Sequence, residues 1–99
     1  MRLFATLLLL TCCHVFAAES PEEKYVVATV QKLFDAMAAH DSEAARSVLM
    51  PDGRILAVRD NGAVTAGTQE QFAARLTTIK EPILERMWNP KVLIRGHIA

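Results

Sequence analysis

With 99 residues, 52% of them hydrophobic, and eleven Lys and Arg set against eleven Asp and Glu, the chain has material for one small core and no surplus charge. That balance, with no basic run anywhere, argues against a nucleic-acid-binding surface or attachment to anionic lipid.

The N-terminus carries the three parts of an export signal. Met1-Arg2 supplies a positive charge, residues 3–10 are apolar apart from Ala5 and Thr6, and Val15-Phe16-Ala17-Ala18 puts small residues where a signal peptidase cuts. Even extended to Phe16, the apolar stretch is shorter than the roughly 20 residues that span a bilayer, and Glu19, Glu22 and Glu23 follow at once. Residues 1–18 are therefore expected to be a signal peptide and residues 19–99 the mature domain, periplasmic or secreted. The competing reading is a lipoprotein signal with Cys12 or Cys13 as the lipidated residue, but Thr11 and Cys12 are poor substitutes for the small residue normally found before such a cysteine. After cleavage no cysteine remains, so the domain must hold together by core packing without a disulfide. Loss of Arg2 leaves ten Lys and Arg against eleven Asp and Glu, a net charge of minus one.

Ser20-Pro21-Glu22-Glu23 combines an N-cap serine, a proline at the first helical position and a glutamate three residues after the cap. Val26, Val30, Leu33, Phe34 and Met37 follow at i, i+4, i+7, i+8 and i+11, one apolar stripe, which predicts a helix over residues 21–39. Asp41 or Ser42 can cap a second, shorter helix through Ala44, Ala45, Val48 and Leu49, ended by the Pro51-Asp52-Gly53 turn. Residues 55–58 and 63–66 flank Asp60-Asn61-Gly62 as a hairpin. Thr68 with Gln71 is a further capping box, and Phe72, Leu76 and Ile79 predict a third helix ended by Glu81-Pro82. Residues 83–94 are rich in Ile, Leu, Met, Trp and Val and are expected to be extended. Asn89-Pro90 is then either a bulge in one long strand, the favoured reading, or a bend between two. Arg95-Gly96-His97 predicts a turn, with residues 98–99 opening a further strand. An apolar strand at 83–94 would have an unpaired edge, and roughly 80 residues are few for a domain without bridges, so the fold is expected to be incomplete at the C-terminus.

The order of a capped helix, the Asp41-Ser42-Glu43-Ala44-Ala45 helix start, the Met50-Pro51-Asp52-Gly53 turn, a hairpin, Gly67-Thr68 with Phe72, and Glu85-Arg86-Met87-Trp88-Asn89-Pro90-Lys91-Val92 resembles the nuclear transport factor 2-like superfamily, in particular its exported bacterial lumazine-binding-like branch. The resemblance implies an α+β fold, three helices packed on a curved antiparallel sheet that forms a cone around a pocket, with the later strands lying beyond Ala99. It implies fold more firmly than activity, because the superfamily holds isomerases, dehydratases and non-catalytic members alike.

Candidate chemistry is sparse. Asp35 lies off the apolar stripe and is expected to be solvated; Tyr25 sits in the first helical turn as a packing residue. His40 ends the first helix, where an imidazole suits the helix dipole, and His97 is expected in an exposed turn. Without close His, Cys, Asp and Glu spacing no metal is expected, and no cofactor motif occurs. Strand alternation would put Leu84, Arg86 and Trp88 on one face and Ile83, Glu85 and Met87 on the other. If the first set faces a cavity, Arg86 orients an anionic or carbonyl-bearing ligand against the Trp88 ring; otherwise Trp88 is core and Arg86 extends to water. Arg86 and Trp88 are thus the candidate ligand-binding residues, in an exported small-molecule-binding domain with an apolar pocket. The alternatives are a lyase- or isomerase-type enzyme with its catalytic residues beyond Ala99, and an interaction module that forms a homodimer through its sheet.

Overall fold

The computed structural model describes residues 18–99. The expected export signal, including Cys12, Cys13 and His14, lies outside those residues apart from Ala18. The described chain is α+β: helix α1 (Pro21–Ala38), helix α2 (Ser42–Val48), strand β1 (Arg54–Val58), strand β2 (Val64–Thr68) and helix α3 (Gln69–Leu76).

Each helix starts where a side chain can satisfy the free N–H groups of its first turn. At α1 the Ser20 hydroxyl accepts from Glu23 N while the Glu23 carboxylate accepts from Ser20 N, both arms of a capping box, with Pro21 at the first position. Asp41 caps α2, accepting from Ala44 N at 3.0 Å. Ser42, the other candidate cap, is instead buried and donates to the Ala73 carbonyl at 2.6 Å, which ties α2 to α3. Thr68 and Gln71 form the second reciprocal box at α3.

The link between α1 and α2 is tight because His40 takes a left-handed conformation, φ 54°. His40 N then donates to Met37 O and Asp41 N to Ala36 O, closing the end of α1 as a Schellman motif. A non-glycine residue rarely adopts this conformation, though histidine is among those that do. Here its Nδ1 also lies 2.6 Å from the Ile79 carbonyl, which can only accept, so Nδ1 carries the proton.

Ala36, Ala45, Ala73 and Leu76 form the buried core, one residue from each of α1 and α2 and two from α3. Three of the four are alanine, so the helices approach closely, and half-buried Leu33, Met37, Leu49, Phe72, Ile79 and Ile83 close around them. Only the C-terminal half of α1 takes part. The predicted stripe has the right phase, but Val30 is exposed and Val26 is only half-buried.

β1 and β2 pair antiparallel, with Ile55 opposite Gly67 and Ala57 opposite Thr65. In the connection Gly62 N donates to Arg59 O and Arg59 N to Ala63 O, and Gly62 sits at φ 81°, where only glycine is unstrained. At the other end Gly53 leaves room for the Gln69 side chain, which a Cβ there would displace and whose Oε1 accepts from Met50 N.

Two expectations are corrected. The third helix ends at Leu76, well before Pro82: the hydroxyls of Thr77 and Thr78 donate to the carbonyls of Ala74 and Arg75, competing with continued helical pairing. Residues 83–94 are not a strand, bulged or bent. The sheet has two strands, and this stretch has no ladder partner among the described residues, so nothing fixes its backbone groups in a sheet. The chain bends at Trp88 and Asn89, with Asn89 at φ 47°. The turn at Gly96-His97 does form, closed by one isolated bridge between Arg95 and Ile98.

Candidate functional site

Alternation along the hairpin sorts its residues onto two faces. Ile55 and Ala57, with their cross-strand partners Gly67 and Thr65, share one face, and Arg59 continues that face just past the end of β1. On α3, Gln71, Phe72 and Arg75 fall at helical spacing after the Thr68 cap. These two surfaces enclose an open cleft of about 580 Å³, within the size range of small-molecule sites. Its floor is apolar, from Ile55, Ala57 and the half-buried Phe72.

The polar groups of this cleft divide into those committed to the fold and those left over. The Gln71 side chain caps α3 by accepting from Thr68 N, and the Thr68 hydroxyl returns the bond. Thr65 Oγ1 points across the ladder to Ala57 O at 3.4 Å, a weak contact. Arg59 and Arg75 are left over: neither guanidinium has an ion-pair or hydrogen-bond partner among the described residues, where the ion pairs all belong to Arg46. No carboxylate lines the cleft.

A second concavity of about 520 Å³ lies at the junction of α1 and α2, against α3. Its polar side chains are engaged in the fold. His40 Nδ1 binds Ile79 O, Asp41 caps α2, Ser42 binds Ala73 O, and Thr77 donates to Ala74 O. Arg46 donates to both oxygens of Glu70 at 2.7–3.0 Å and also to Glu43. The bonds from Arg46 hold the Glu70 carboxyl below the usual carboxylate range, and Glu70 in turn pushes the Arg46 guanidinium further up. This concavity is the seam that joins α2 to its neighbours, and its polar side chains each serve a contact of the fold.

Arg86 and Trp88 sit in the unpaired 83–94 stretch. Trp88 is 84% exposed and Arg86 is exposed, while Ile83 and Met87 are half-buried. The alternation expected of a strand thus persists in part, with Leu84, Arg86 and Trp88 outward, and neither Arg86 nor Trp88 lines either concavity. Asp35 is exposed and accepts from Gln31 Nε2 at 2.8 Å. Tyr25 is 73% exposed, so it does not pack as expected. His97 is exposed in its turn. Among the described residues no three of His, Cys, Asp and Glu converge in a way that could hold a metal ion.

The sequence reading passed over Arg59 and Arg75. Their signal was present: Arg59 keeps the two-residue phase of Ile55 and Ala57, and Arg75 follows Gln71 by four and Phe72 by three. What could not be seen was that α3 folds over that particular face of the hairpin. Comparison with protein-family models, with curated proteins and with solved structures finds no match.

Proposed function

We propose that this chain is an exported small-molecule-binding domain whose ligand, a small apolar or carbonyl-bearing compound, sits in the cleft between the hairpin and α3. The observation that carries the reading is the apolar floor of Ile55, Ala57 and Phe72 bordered by polar groups the fold does not use. Export to the periplasm or medium rests on the N-terminal pattern alone, and N-terminal sequencing of the protein recovered outside the cytoplasm tests it: retention of residues 1–18 rejects it. Membership of the nuclear transport factor 2-like superfamily is part of the same proposal. The order of two helices, a hairpin and a third helix supports it, although Arg86 and Trp88 do not line this cleft.

The cleft is tested by plugging it. Ala57 is exposed on its floor, so Ala57→Trp fills the space without touching the core. Compounds found by ligand-observed magnetic resonance should lose binding to that variant while its melting temperature holds. Binding that survives the plug rejects the cleft as the site.

A second reading, a homodimerising module, is favoured by the opposite hairpin face, where Leu56 and Val58 are 70% and 73% exposed beside Val64. Light scattering distinguishes the two: a monomer at high concentration counts against the dimer and leaves the ligand reading intact. A lyase- or isomerase-type activity would require acid-base groups that the cleft as described does not supply.

A further inference from the structure

The charge of the cleft narrows what it binds. Two guanidinium groups border it, no carboxylate does, and neither guanidinium is neutralised elsewhere among the described residues. From Ile55 to Arg59 the strand and its first loop residue extend about 13 Å, so an apolar body on the floor can end at a cation. A planar guanidinium presents paired N–H donors that match the two oxygens of a carboxylate.

We propose that the cleft between the hairpin and α3 takes a small amphipathic organic anion, typified by a free monocarboxylate, with its apolar body on Ile55, Ala57 and Phe72 and its anionic end held by Arg59 and Arg75. This rests on the ligand-binding reading above and adds the class of ligand. An apolar or neutral carbonyl compound would use the floor and leave both cations unanswered. An anion with the same body gains charge-assisted hydrogen bonds to a pair of groups that are solvated when the cleft is empty. Binding is therefore selective by charge as well as by hydrophobicity.

The experiment titrates the full chain with three probes of equal length, octanoate, octanol and octylammonium, and follows backbone amide signals of Gly67, Phe72 and Arg75. Octanoate should shift them, octanol should bind more weakly, and octylammonium should not bind. Arg59→Met and Arg75→Met should each weaken octanoate about tenfold, the loss expected for a hydrogen bond to a charged group, and weaken octanol by a much smaller factor, with the melting temperature unchanged. Arg59→Lys and Arg75→Lys should restore part of the loss. Octanol binding as tight as octanoate, or octanoate binding undiminished in the double Arg→Met variant, overturns the inference and leaves a neutral-ligand cleft standing. Capture by phosphatidylglycerol vesicles with no shift by octanoate overturns it in favour of a lipid surface. Silence with all three probes removes the cleft as a site altogether.

Discussion

Residues 41–76 and residues 83–98 are both rich in apolar side chains, yet they end in opposite states. In the first stretch Ala45, Ala73 and Leu76 are fully buried and the helix starts are capped. In the second Leu84, Trp88, Leu93 and Ile98 lie exposed, and the backbone carries a single isolated bridge. Hydrophobicity does not account for the difference, since the second stretch holds larger apolar groups than the alanines of the first. Backbone pairing does. A helix satisfies its own N–H and C=O groups and needs side chains only at its ends, whereas an extended segment must find a neighbour to pair its backbone, and without one Ile83 and Met87 are no more than half-buried. Pro82 and Pro90 sharpen the contrast, since neither can donate to a ladder.

The contrast can be broken most directly at its two extremes. Leu76→Ala should cost about 2–5 kcal/mol, since it opens a cavity among the three core alanines. Leu84→Ala should stay within about 0.5 kcal/mol of wild type, as expected of an exposed side chain. Denaturant unfolding measures both, and equal losses would mean that Leu84 is packed as deeply as Leu76.

Ser42→Ala should come next, at about 1–2 kcal/mol, because the buried Ala73 carbonyl loses its 2.6 Å donor. Gly53→Ala is expected to cost about 1 kcal/mol. The added Cβ displaces the Gln69 side chain, which is flexible enough to leave, and the loss is its hydrogen bond to Met50 N. Gln69→Ala should remove the same bond, so the double variant should cost little more than either single one; full additivity would refute the link.

The smallest effect should be the pH dependence of the seam between α2 and α3. Arg46 lowers the Glu70 carboxyl below its unfolded value, so the contribution is complete above that unfolded value and is lost as pH falls through the depressed folded one. Both groups are solvent-facing, which keeps it small. Glu70→Gln should therefore melt slightly lower than wild type at neutral pH, and the two should converge in acid. A gap that persists or widens at low pH would assign the difference to something other than the carboxylate.

Helix starts and turns were legible because their causes are local. Ser20 with Glu23, Thr68 with Gln71, and Gly62 after Asp60-Asn61 each act within a few residues, and each forms as expected. Ends were less legible: Pro82 looked like the stop of α3, but the paired threonines at 77 and 78 act first. The candidate site was legible least. Arg86 and Trp88 stand out by composition in one apolar run, while Arg59 and Arg75 are separated by a turn, a strand and most of a helix, and only their shared cleft connects them.

What the sequence determined alone is the α+β class, the order of elements from α1 to α3 and the capping boxes of α1 and α3, because a cap or a turn is complete once a few neighbouring residues are known. Tertiary structure alone decided that Ser42 and His40 would bind the carbonyls of Ala73 and Ile79, that three alanines would form the centre of the core, and which face of the hairpin α3 would cover. Those are contacts across 31 and 39 residues of chain, set by how helices pack. The same dependence on distant neighbours leaves residues 83–94 extended and unpaired.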